Sequence, residues 1–167
     1  MRFSEQLTLI GRFKRRAPVD VDTLAMALGV PVQYAYLNDE TSGMIEKIGE
    51  DRFRIVVNAT HPSTRQRFTI AHELGHYMLH RHLIGAGIAD SRAYRSDDRG
   101  RYHNTNIGPA QETQANKFAV GLLMPDHLID EARAQGLNSP AAVAKFLGVS
   151  EQAYCIRAGI PYEPAFV

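Results

Sequence analysis

The chain has no tryptophan and only one cysteine, Cys155, so no disulfide can close within it. It also has little excess charge. Its 19 lysines and arginines stand against 18 aspartates and glutamates, a formal net charge of +1, so no global field marks a nucleic acid or an acidic membrane as the partner. No apolar run approaches the roughly 18 residues that a bilayer-spanning helix needs. Short apolar runs give way to Lys14, Arg15 and Arg16 without the apolar core of a secretory leader. These absences predict a cytoplasmic protein with no membrane segment. Cys155 lies in an amphipathic C-terminal segment, where a packed residue is expected rather than a nucleophile.

What is present suits one domain over residues 1–167, with a helical appendage at about 137–160. A basic helix is predicted from Ser4 to Arg16, and Asp20 caps a second one that stops at Gly29. Apolar alternation through Val32, Tyr34 and Tyr36, then Met44 to Ile48, then Phe53, Ile55 and Val57 predicts three strands. The fold class is α+β. A small, mostly antiparallel three-stranded sheet should pack on the next helix and on further helices, with a short helical pair at the C-terminus.

That next helix carries the chemistry. Ser63 followed by Gln66 reads as a capping box, and Phe68, Ala71, Leu74, Met78 and Leu79 recur with a helical period, predicting a helix that ends near Gly85. Within it, His72-Glu73-Leu74-Gly75-His76 places two imidazoles one turn apart on one face, so both can bind one ion from the same side. The spacing fits a zinc site. Glu73 lies beside them, close enough to act as general base on a water held by the ion.

A catalytic zinc takes three protein ligands and keeps one position open, so a third ligand is needed. His80 continues the same face, but from His72 it lies about 12 Å along a straight helix, too far for bonds of about 2 Å. His82 has the metzincin spacing, yet Leu79 stands where that turn needs glycine. Asp97 and Asp98 lie in a polar stretch that fixes neither of them. Glu112, 36 residues beyond His76, opens a predicted helix with Pro109 in its first turn and can present a carboxylate from the opposite side, so it is the favoured ligand. Asn116, one turn further, can hold the tautomer of a ligand histidine. In the glycine- and serine-containing stretch 85–108, Tyr94, Tyr102 and His103 can each donate to a developing oxyanion. His103 is the preferred donor.

The segments RQRFTIAHELGHYMLH at 65–80 and ETQANKFAVGLLMP at 112–125, with RIVVNAT before them, resemble the ImmA/IrrE family of zinc metallo-endopeptidases. The likeness runs over residues 18–160, and it is of the gluzincin kind, two histidines plus a glutamate. Position by position it implies His72, His76 and Glu112 as ligands of Zn2+, and Glu73 as general base. Where related gluzincins carry aspartate one turn after the ligand glutamate, this chain has Asn116. The resemblance implies an endopeptidase whose protein substrate is a helix-turn-helix, Xre-like repressor. Cutting it would relieve transcriptional repression.

Two readings stand against it. A regulatory or toxin–antitoxin module would keep the metal site and act by holding a partner; an intact Glu73 favours catalysis. A DNA-binding regulator would use the helix-turn-helix spacing at Ala144, Gly148, Val149 and Ser150, but the following segment offers only Arg157 as a base. Direct DNA binding is therefore not expected, and the helical pair is read as structural or as a substrate-docking unit. The sequence fixes no oligomeric state.

Overall fold

The computed structural model describes residues 1–85, 107–162 and 164. Helix α1 (Phe3–Phe13) begins one residue before the predicted Ser4, because the Glu5 carboxylate turns back to accept the Arg2 amide at 3.0 Å. Helix α2 (Val21–Ala27) starts where Asp20 accepts the Thr23 amide at 3.1 Å, and the chain leaves it through Gly29 at φ 83°.

Strands β1 (Val32–Ala35), β2 (Gly43–Gly49) and β3 (Arg52–Asn58) form one sheet in the order β1-β3-β2. Strands β2 and β3 make an antiparallel hairpin with an irregularity between Lys47 and Gly49. Strand β1 instead runs parallel to β3, with Val32 beside Ile55 and Ala35 beside Asn58. The sheet is mixed: its longer pairing is antiparallel, as expected, but it is not antiparallel throughout. Phe53, Ile55, Val56 and Val57 are all buried, which suits β3 to the centre, where both of its edges are paired. It enters between the two earlier strands, so only the pair adjacent in sequence is antiparallel.

Helix α3 (Ser63–His80) follows directly, and a single 3-10 turn at Arg81–Leu83 ends it well before Gly85. Its start differs from the predicted capping box. Pro62 is the N-cap and has no side-chain bond, while the Gln66 amide donates to the Asn58 carbonyl at 3.0 Å. Asn58 is fully buried and gathers the surrounding loops, donating to the carbonyls of Asn38 at 3.0 Å and Thr41 at 2.9 Å and accepting the Thr60 amide at 3.0 Å. The sheet thus captures the side chain that a local cap would have used. At the other end, Arg81 Nε donates to the Tyr77 carbonyl at 3.1 Å and satisfies the last turn.

Every residue of α3 from Thr69 to Met78 is buried, with the sheet on one side, α2 on another and α4 (Pro109–Leu123) on a third. Polar side chains in this stretch need partners inside the protein. Helices α5 (Asp126–Ala134), α6 (Pro140–Leu147) and α7 (Glu151–Ala158) complete the described chain. Ser139 and Ser150 cap the last two helices, accepting the amides of Ala142 at 3.1 Å and Ala153 at 3.0 Å.

Leu147, Val149 and Tyr154 of this pair belong to the same apolar core as Ile55 and Leu74. Arg67 of α3 reinforces the joint, donating to the carbonyls of Val19 at 2.7 Å and Gly148 at 2.9 Å. Gly148 stands at φ 72°, and a Cβ there would lie 2.7 Å from Arg67 Nε, so backbone and room both call for glycine. Arg157, the one base the sequence offered for DNA, donates to the Met124 carbonyl at 3.2 Å and pairs with Asp126 at 2.5 Å.

Candidate metal centre

His72 and His76 project from one side of α3, with ring centroids 4.8 Å apart and Nε2 atoms 3.2 Å apart. Glu112 comes from the first turn of α4. Its Oε1 stands 3.1 Å from His72 Nε2 and 2.9 Å from His76 Nε2. Helix α4 comes this close because α3 has no side chain at Gly75, where a Cβ would meet the Ala115 backbone and Phe118.

Asn116, one turn past Glu112, places Oδ1 2.8 Å from His72 Nδ1. A carbonyl oxygen can only accept, so His72 Nδ1 carries a proton, and Nε2 is the nitrogen left to ligate an ion. Burial, the largest influence on His76, lowers it from 6.5 to about 4, so this ring is neutral near pH 7. Two imidazole nitrogens and a carboxylate oxygen are a donor set that a divalent metal ion can take.

The distances suit a metal ion held between the three atoms. Bonds of about 2.0–2.1 Å in tetrahedral geometry put ligand atoms about 3.3 Å apart, and the three observed separations are 2.9, 3.1 and 3.2 Å. Lone-pair atoms this close repel one another, and a divalent cation between them reverses the sign of the interaction. Among the described residues, His72, His76 and Glu112 form the group that can hold a metal ion.

Glu73 lies beside this group with its side chain almost wholly buried, and its Oε2 has no hydrogen-bond partner among the described residues. Burial first, and the Glu112 charge second, push its carboxyl well above the usual range. A carboxyl in this setting exchanges a proton far closer to neutrality than a solvated one does.

Of the other residues weighed from the sequence, His82 is exposed in the 3-10 turn and takes no part in the cluster. Tyr94, Asp97, Asp98, Tyr102 and His103 lie outside the described residues. His80 is buried one turn beyond His76, with its Nδ1 2.9 Å from His76 Nδ1 and its Nε2 2.6 Å from Gln114 Oε1. Sequence reasoning tested His80 only as a ligand and did not single out Gln114. The i, i+4 spacing from His76 was a usable signal for the first, whereas nothing local marks the second.

A family model described as the IrrE N-terminal-like domain, Peptidase M78, matches residues 25–158. The chain belongs to this family. The IrrE N-terminal-like domain here takes in the whole sheet, α3, α4 and the C-terminal pair, and so contains His72, Glu73, His76 and Glu112; α1 lies outside it. A search among curated proteins finds no match. Family and ligand group together support a function of metallopeptidase type. No helix of the described residues is long and apolar enough to cross a membrane.

Proposed function

We propose that this IrrE N-terminal-like domain is a zinc endopeptidase and that its substrate is a helix-turn-helix repressor. The observation that carries the catalytic part is the buried Glu73 carboxyl, with an unpartnered oxygen, beside three converging ligand atoms. His72, His76 and Glu112 would hold the ion, and two histidines with a carboxylate suit zinc among the divalent metals. When bound, zinc polarises a carbonyl and brings the pKa of a water down to about 7.

Glu73 takes the proton of the attacking water as the new C–O bond forms, then passes it to the amine nitrogen as the C–N bond breaks. Asn116 keeps His72 in its ligating tautomer. The buried wall of α3 excludes competing solvent, and His103 is the proposed donor to the carbonyl oxygen.

A polypeptide substrate is supported by a groove of about 520 Å³ beside the N-terminal half of α3, lined by Phe68, Val149, Ala153 and Ile156 among others. Phe68 stands one turn before His72, so the groove continues the ligand-bearing face. We place a substrate segment with an apolar side chain there. The lone buried Cys155 suits a reducing cytoplasm.

The test uses zinc-loaded wild type and Glu73→Gln, each incubated with purified helix-turn-helix repressors encoded in the same genome and read by intact mass. One cut, made by wild type alone, is expected. A stable complex left uncut by both proteins would replace this reading with a regulatory module that retains its metal site.

A further inference from the structure

Behind His76, on the side away from Glu112, the site continues through two side chains that do not face the ligand atoms. His80 Nδ1 is 2.9 Å from His76 Nδ1, and His80 Nε2 is 2.6 Å from Gln114 Oε1. Two facing ring nitrogens bond only when one carries a proton and the other is bare. Distance alone leaves open which is which. The far end of the chain decides it.

Gln114 presents its carbonyl oxygen, which only accepts. His80 Nε2 therefore carries its proton, and in the neutral ring Nδ1 is left as the acceptor. His76 Nδ1 must then donate, which strips His76 Nε2 of its proton and turns a lone pair toward Glu112 and His72. Reversing the polarity at Gln114 would reverse every member of the chain, and His76 Nε2 would then point a proton at the place where an ion must sit. Only one of the two polarities can bind metal.

We propose that His80 and Gln114 are positioning residues that lock His76 into its Nε2-ligating tautomer, so that an exposed glutamine on α4 sets the affinity of the metal site. The inference rests on the zinc part of the proposed function and is independent of the peptidase part. His80 is buried at 4% exposure, whereas Gln114 is exposed, so Gln114 can be changed without disturbing the core.

The experiment measures zinc affinity of the whole chain by competition with a chromophoric chelator, together with the visible spectrum of the Co2+-substituted protein. Gln114→Met removes the acceptor at similar size and is expected to weaken zinc by at least about tenfold, with the metal-free thermal midpoint unchanged. Gln114→Glu, whose carboxylate can only accept, is expected to bind within about threefold of wild type or more tightly. Thr113→Glu, also exposed, adds the same charge next door and controls for long-range attraction. His80→Phe should weaken zinc at least as much as Gln114→Met.

Wild-type affinity in Gln114→Met, with zinc bound one to one in wild type, would overturn the relay while leaving the zinc site intact. Equal losses in Gln114→Met and Gln114→Glu would also overturn it, because packing and not polarity would then be the cause. A wild-type chain that binds no zinc would overturn the relay together with the metal reading. Absence of cleavage leaves the affinity comparison in force.

Discussion

Gly75 and Ala115 touch backbone to backbone: a Cβ built on Gly75 would lie 3.1 Å from both the Cα and the carbonyl oxygen of Ala115. This contact sets how far α4 stands from α3, and hence where Glu112 meets the two histidines. Gly75→Ala is expected to push α4 outward by a few tenths of an ångström and to cost about 1–3 kcal/mol of stability, as overpacking does. Zinc affinity should fall with it, since carboxylate and imidazoles must converge within a few tenths of an ångström. Urea melts and chelator competition read the two effects. Unchanged values in both would show that helix spacing is fixed elsewhere.

Glu73 offers a test of ionisation that does not need the substrate. In the metal-free fold its carboxyl is held above its ordinary value by burial first and by Glu112 second, so the folded chain keeps a proton that the unfolded chain releases. Here the unfolded state binds fewer protons, so stability falls as pH rises above the ordinary carboxylate value. Glu73→Gln removes that titration, and the metal-free variant is expected to be more stable than metal-free wild type at neutral pH. Bound zinc would use the same carboxyl in the opposite sense. Its charge favours the carboxylate, so wild type should release a proton on binding zinc that Glu73→Gln does not, as calorimetry in buffers of different ionisation enthalpy would show. Cleavage should drop by about 10²–10⁴ in Glu73→Gln with zinc retained.

His76 gives the acid side of the pH profile. Its pKa falls from 6.5 to about 4, chiefly through burial, so between those values the unfolded chain binds the extra proton. With more protons on the unfolded state, stability rises with pH through that window, by about 3 kcal/mol at most. Metal-free wild type is therefore expected to lose stability as pH is lowered from about 6.5 toward 4, and His76→Asn to lack this share of the slope. Denaturation at a series of pH values in chelator measures it. Equal slopes in the two proteins would place the acid lability in other groups.

How much of this was legible beforehand follows from how local each signal was. The cap at Asp20 and the pairing of His72 with His76 at one-turn spacing depend on residues within one turn, and the chain states them directly. The approach of Glu112 was legible because few carboxylates stood on a predicted helix of the right kind. What escaped was non-local. The parallel pairing of β1 with β3 depends on which strand takes the buried centre, and Gln66 was drawn from its expected cap by the Asn58 carbonyl. Gln114 answers to His80 across an interface whose register no single segment encodes.

Ile156 supplies the prediction that separates binding of substrate from chemistry. It lies on α7, is 73% exposed, and lines the groove that Phe68 shares one turn before His72. A large apolar side chain left in water beside a continuous groove contributes little to folding, so Ile156→Asp should leave the thermal midpoint almost unchanged. It is not one of the ligand group His72, His76 and Glu112, and zinc affinity should also stay at the wild-type value. If the groove seats an apolar substrate segment, the buried aspartate would meet that segment unpaired, and kcat/KM for the protein substrate should fall by about tenfold or more, mostly through KM. A small peptide spanning only the scissile bond should be cut at the wild-type rate. Equal losses on both substrates, or none on either, would remove the groove from the substrate path and leave the metal centre to select its substrate by other surfaces.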